Sequence, residues 1–120
     1  MIKQKWGASM KNIMMIEGQR AVIEYDPDIE MFRGEFVGLN GSADFYAKNI
    51  TGLKHEGKTS LKVFLQMCAA EGIEPFKRHS GKFVLRLNPN IHQAATAASK
   101  AAGLSLNQWV AKLIQERAEV

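Results

Sequence analysis

One cysteine in 120 residues excludes an intrachain disulfide and a thiolate-rich metal site. Cys68 falls on an apolar stripe at helical spacing and reads as a buried, inert thiol. Histidine is nearly as scarce. His55, His79 and His92 lack metal-ligand spacing, so the sequence assigns no metal, no cofactor and no catalytic residue. No apolar run approaches the ~20 residues of a membrane span. No signal-peptide pattern opens the chain either, so the expectation is a cytoplasmic protein without a membrane partner. The prolines are few and act as punctuation: Pro27 in a turn, Pro75 in a linker, Pro89 in the first turn of a helix.

Charge is present but unevenly spread around a net +4. Between Arg20 and Ala47 the acids are Glu24, Asp26, Asp28, Glu30, Glu35 and Asp44, against Arg20 and Arg33. From Pro75 onward the bases are Lys77, Arg78, Lys82, Arg86, Lys100, Lys112 and Arg117, against Glu116 and Glu119. An acidic front and a basic back suggest two different partners. The opening residues carry Lys3, Lys5 and Trp6 without a pattern, and either Met1 or Met10 suits a natural start.

Apolar runs over residues 12–16 and 20–25, broken at Gly18-Gln19, read as a hairpin. Asp26-Pro27-Asp28 is a turn, with Asp28 able to bond its own backbone. Residues 31–39 and 43–47 read as third and fourth strands around the turn Asn40-Gly41-Ser42, which makes an antiparallel meander. The period then changes. Ile50, Leu53, Gly57, Leu61, Phe64 and Cys68 lie on one helix face, with Asn49 as N-cap and Gly72 as stop. Gly57 on the buried stripe suggests close packing on the sheet. The expected class is α+β: a meander with one helix across it. Residues 10–73 form the first domain, residues 74–81 a linker, and residues 82–118 a second domain.

In that second domain Phe83, Leu85 and Leu87 alternate with Lys82, Val84 and Arg86, the pattern of a half-buried strand. A lone short strand cannot satisfy its edges, and pairing with the same strand of a second chain gives a two-stranded ribbon. Ile91, Ala94, Ala95, Ala98 and Ala102 share a face of an alanine-rich helix that Gly103 ends. Ser105 and Gln108 have capping-box spacing ahead of a stripe of Leu106, Trp109, Val110, Leu113 and Ile114, with Trp109 read as core. One strand and two helices cannot close a core, so a dimer is expected. The ribbon's outward residues Lys82, Val84 and Arg86 are placed to reach base edges in a major groove. The start of the second helix, at Ser105, Leu106 and Asn107, offers N–H groups to a phosphate.

FVLRL-NP…GLSLNQWV resembles a ribbon-helix-helix DNA-binding domain, of the class containing the Arc and MetJ repressors, over about Gly81 to Ala118. The resemblance implies that Lys82, Val84 and Arg86 read the groove; Val84 stands where the well-known members carry a polar residue. More of the chain, from about Met10, is similar to the HicB family of antitoxins. The segments are VIEYDPDIEMFRGEFVGL, ADFYAKNITGLK and FLQMCAAEGIEPFKRHSGKFVLRL, and the most specific part is EGIEPFKRHSGKFVLRL joined to SLNQWV. The HicB resemblance implies a partial RNase H-like N-terminal domain, inactive as a nuclease, that blocks a HicA toxin. It implies that this toxin is a small basic ribonuclease with a double-stranded-RNA-binding-like fold and a catalytic histidine. It further implies that the C-terminal domain binds operator DNA and represses the operon; the homodimer expected from the open core becomes a homotetramer if the front domain carries a second interface.

For the toxin-facing surface the acids Glu24, Glu30 and Glu35 are the candidates, since they would attract a basic nuclease. Asp26 and Asp28 fit turn chemistry better. A metal nuclease using Asp26, Glu35 and Asp44 is a weaker reading, because these acids sit in turns or at strand ends. The chain is therefore expected not to be an enzyme. The alternative from another class is a stand-alone ribbon-helix-helix regulator whose front domain senses a ligand or drives oligomerisation.

Overall fold

The computed structural model describes residues 12–118, so the choice between Met1 and Met10 lies outside the described residues. The chain divides into two compact units, Met1–Ser80 and Gly81–Val120.

In the first unit four strands, β1 (Ile13–Ile16), β2 (Gln19–Asp26), β3 (Met31–Phe36) and β4 (Asp44–Ala47), pair antiparallel in chain order. Each expected strand is present, with its ends shifted by up to three residues. The first hairpin turns at Glu17 and Gly18, both at positive φ (49° and 79°), which is the two-residue turn whose twist suits a hairpin. The break therefore falls one residue earlier than Gly18-Gln19 suggested. At the second turn the bond runs opposite to the expectation: the Asp26 carboxylate accepts from the Asp28 N–H at 3.0 Å. Asp26 thus serves the turn.

Helix α1 (Ile50–Glu71) lies across one face of the sheet. Asn49 caps it, its side chain accepting the Gly52 N–H at 2.7 Å, and Gly72 ends it at φ 67°. The buried stripe is Leu53, Gly57, Leu61, Phe64 and Cys68. Ile50, also expected there, is exposed in the first turn. The core joins this stripe to Ile16, Ala21, Phe36, Leu39, Ala43, Phe45 and Ala47.

Phe45 occupies a slot between two glycines. Its cross-strand partner is Gly34, and a Cβ on Gly34 would run into the Phe45 ring. A Cβ on Gly57 would collide with Ile16 and come within 3.1 Å of the same ring. The close approach expected from Gly57 is therefore present. The matching role of Gly34 has no sequence signal beyond a glycine inside a strand.

The start of the stretch read as a linker is pinned to this unit. Leu39 bridges to Phe76, the Asn40 side chain donates to the Glu74 carbonyl at 2.8 Å, and Lys77 N–H donates to the Gly38 carbonyl at 2.9 Å. Phe76 packs on the core. Its burial and these bonds tie Glu74 to Lys77 to the loop after β3.

Gly34→Ala removes the slot on one side. On strand propensity alone alanine would be neutral or better, but overpacking at Phe45 should lower stability by about 1–3 kcal/mol. A fall in the urea midpoint at unchanged slope checks this.

Candidate functional site

The second unit consists of an extended segment followed by α2 (Pro89–Ala101) and α3 (Leu106–Ala118). Asn88 caps α2, accepting the Asn90 N–H at 2.8 Å, with Pro89 in the first turn. At its end Gly103 adopts φ 75°, Leu104 N–H donates to the Ser99 carbonyl at 2.9 Å and Gly103 N–H to the Lys100 carbonyl at 3.0 Å. This is the double-bonded glycine stop that turns a chain sharply into its next helix. The capping box on α3 forms in both directions: Gln108 N–H donates to Ser105 Oγ at 3.1 Å, and Ser105 N–H to Gln108 Oε1 at 3.0 Å.

No strand is formed over residues 82–87 among the described residues. A strand requires a laddered neighbour, and the expected neighbour was the same segment of a second chain. The two sides of the segment are nevertheless distinct. Phe83, Leu85 and Leu87 line a groove of about 490 Å³ with Leu106, Val110 and Ile114 of α3. Val84 and Arg86 do not line it, whereas Lys82, expected on their side, does. Val84 is 84% exposed and Arg86 is exposed.

Burial within this unit is slight. Phe83, on the groove side, is still 73% exposed, and no residue of α3 is buried. Trp109, expected as core, is only half-buried. On α2 the covered residues are Ala95 and Ser99, while Ile91 and Ala94 of the expected face are exposed. The apolar positions follow the sequence pattern, but nothing within this unit covers them. Fully exposing such side chains forgoes about 1.5–3 kcal/mol each.

At the start of α3 the N–H groups of Gln108 and Trp109 are engaged by Ser105 Oγ and the Ser105 carbonyl. Those of Leu106 and Asn107 have no acceptor among the described residues, which suits an oxyanion.

The chain region with this arrangement is also the one that finds a match. The HicB family model matches residues 64–114. Over these residues, less than half of its length, the chain is similar to the HicB family. The match runs from within α1, through the extended segment and α2, into α3. No curated protein and no solved structure matches the chain.

The acids proposed for the toxin surface are separated by the fold. Glu24 stands on β2 and Glu35 on β3, both exposed, whereas Glu30 sits in the hairpin turn at φ 51°. Arg33 donates to Asp44 at 2.7 Å and to Glu35 at 3.5 Å. The Asp44 hydrogen bond, then one to Tyr46, hold the Arg33 guanidinium above its ordinary pKa. Arg33 was not singled out in the sequence, and an alternating strand gives no sign of which charges will meet. Among the described residues no group of three or more His, Cys, Asp or Glu is placed to hold a metal. Nor is any helix there long and apolar enough to cross a membrane.

Ser105→Ala removes one arm of the capping box and should cost about 1 kcal/mol of stability. The expected readout is a lower melting temperature of the full chain, with Ser105→Thr largely restoring it.

Proposed function

We propose that the chain is a HicB-type antitoxin that neutralises a HicA-like, mRNA-cleaving ribonuclease through its N-terminal unit and represses its own operon through its C-terminal unit. The observation that carries the proposal is the match over residues 64–114 coinciding with an extended segment of alternating faces and an uncovered groove. In this reading two copies pair residues 82–87 into an antiparallel ribbon. Phe83, Leu85 and Leu87 turn toward the helices of the pair, which gives these side chains the cover a single unit lacks. The meander with α1 is read as the partial RNase H-like domain of the family, acting by occlusion rather than catalysis.

The ribbon then carries Lys82, Val84 and Arg86 on its DNA side. Arg86 has the geometry to bond guanine through two hydrogen bonds, and Val84 to touch a thymine methyl. Phosphates flanking the groove meet the N–H groups of Leu106 and Asn107 beyond the Ser105 cap. Lys82 and Arg86 also release counterions on binding, so affinity falls steeply with salt.

Arg86→Ala separates the two activities. Operator affinity in a gel shift should drop by about 1–3 kcal/mol, while growth rescue on co-expression with the HicA-like toxin stays near wild type. Loss of both activities together would refute the division of labour. Failure of the unsubstituted chain to retard DNA upstream of its own gene would refute the repressor role.

A further inference from the structure

We infer that the face of the sheet opposite α1 is the docking surface of the N-terminal unit, and that it receives a protein with an apolar centre and a basic rim. The inference rests on the antitoxin reading and names the surface that this reading leaves open.

Strand register lays the face out in four rows, one of them Asp26 opposite the half-buried Met31 beside the hairpin. Ile13, Val22, Glu35 and Asp44 stand opposite one another across all four strands. Glu24, Arg33 and Tyr46 form a second row. Met15 and Arg20 form a third, extended by Val37, whose N–H donates to the Arg20 carbonyl at 3.2 Å. Every large apolar side chain in the other three rows is exposed, including Ile13 at 52% and Met15 at 56%. Three of them, Ile13, Met15 and Val22, gather on the β1 side, and Val37 lies just past the end of β3. A contiguous apolar patch rimmed by charge marks an interaction site more often than a bare surface.

Charge selects the occupant. Glu24, Glu35 and Asp44 lie on the face, and Asp26, Asp28 and Glu30 continue them at the hairpin, against Arg20 and Arg33 alone. This negative field stands on a chain whose net charge is +4. The helix side of the same unit has the opposite character, with exposed Lys54, Lys58 and Lys62 on α1. A basic partner is therefore drawn to the sheet and turned away from the helix.

The ion pairs divide the labour within the face. Arg33 already engages Asp44 and Glu35, so these two acids serve each other's geometry more than a newcomer's charge. No such partner is recorded for Glu24 among the described residues. Steering then falls to Glu24 and the hairpin acids, and affinity to the apolar cluster on the β1 side. The docking residues are Ile13, Met15 and Val22, with Glu24 setting the rate of encounter. The sheet is braced from behind by α1, so little ordering accompanies docking.

The test uses the full chain co-expressed with the HicA-like protein encoded beside it, scored by co-purification, growth rescue and titration. Val22→Arg and Ile13→Arg should each weaken the complex by at least about tenfold, while gel-shift affinity for the operator is unchanged, which shows that the variants fold. Glu24→Lys should slow association and flatten its salt dependence with little change in dissociation. Lys62→Glu on α1 should leave the complex intact. Unchanged binding by both arginine variants overturns the inference and spares the antitoxin reading. So does a change in their sedimentation with toxin binding intact, which would mean that a second copy occupies the face. No complex with the unsubstituted chain overturns both.

Discussion

The N-terminal unit depends on a phenylalanine ring held where two side chains are missing. Phe45 projects from β4 over Gly34 of β3 and under Gly57 of α1. The ring sets the separation of helix and sheet, because interiors are packed too densely to absorb one extra methyl at such a point. Leu53 and Leu61 on one side, and Ile16, Ala21 and Phe36 on the other, close around it. The core has a single side, so the opposite face of the sheet is left to solvent or to a partner. The closeness of α1 behind the sheet and the openness in front of it are two results of the same layer arrangement.

The C-terminal unit follows another logic. Its local structure is complete: Asn88 and Ser105 cap their helices, and Gly103 makes the turn between them. Its packing is not, since α3 buries no residue and Phe83, Leu85 and Leu87 form one wall of an uncovered groove. Capping bonds are satisfied by residues three or four positions apart and need no tertiary partner. Burial of an amphipathic helix needs a second apolar surface. Good caps with a poor core are the combination that the proposed pairing of two copies would complete.

Most of the elements were legible along the chain because their signals are local. Apolar runs between turn residues marked the strands of the sheet, a three-to-four step marked α1, and Asn49, Gly72, Ser105 and Gly103 announced their own roles. What escaped was non-local. Nothing near Gly34 says that Phe45, eleven positions away, will lie over it. The attachment of Phe76 beside Leu39 was hidden because a segment containing Pro75, bases and glycine has the composition of a linker. Ile50 kept the period of a buried stripe yet is exposed, since the helix begins beyond the edge of what it covers.

The candidate site divides in the same way. The sequence by itself determined that Val84 and Arg86 lie on the side of their segment opposite Phe83, Leu85 and Leu87, and that Ser105 starts a helix. Those facts follow from a period of two and from a capping box, which are properties of short stretches of backbone. Only the tertiary structure decided that Glu24 and Glu35 share an open face while Glu30 sits in a turn. It also decided that Arg33 neutralises Asp44 and Glu35, and that Ile13 and Val22 extend the row beside them. Cross-strand register brings these residues together. Register is set by turn geometry and by which side chains the core accepts, so it emerges only when the sheet closes on its helix.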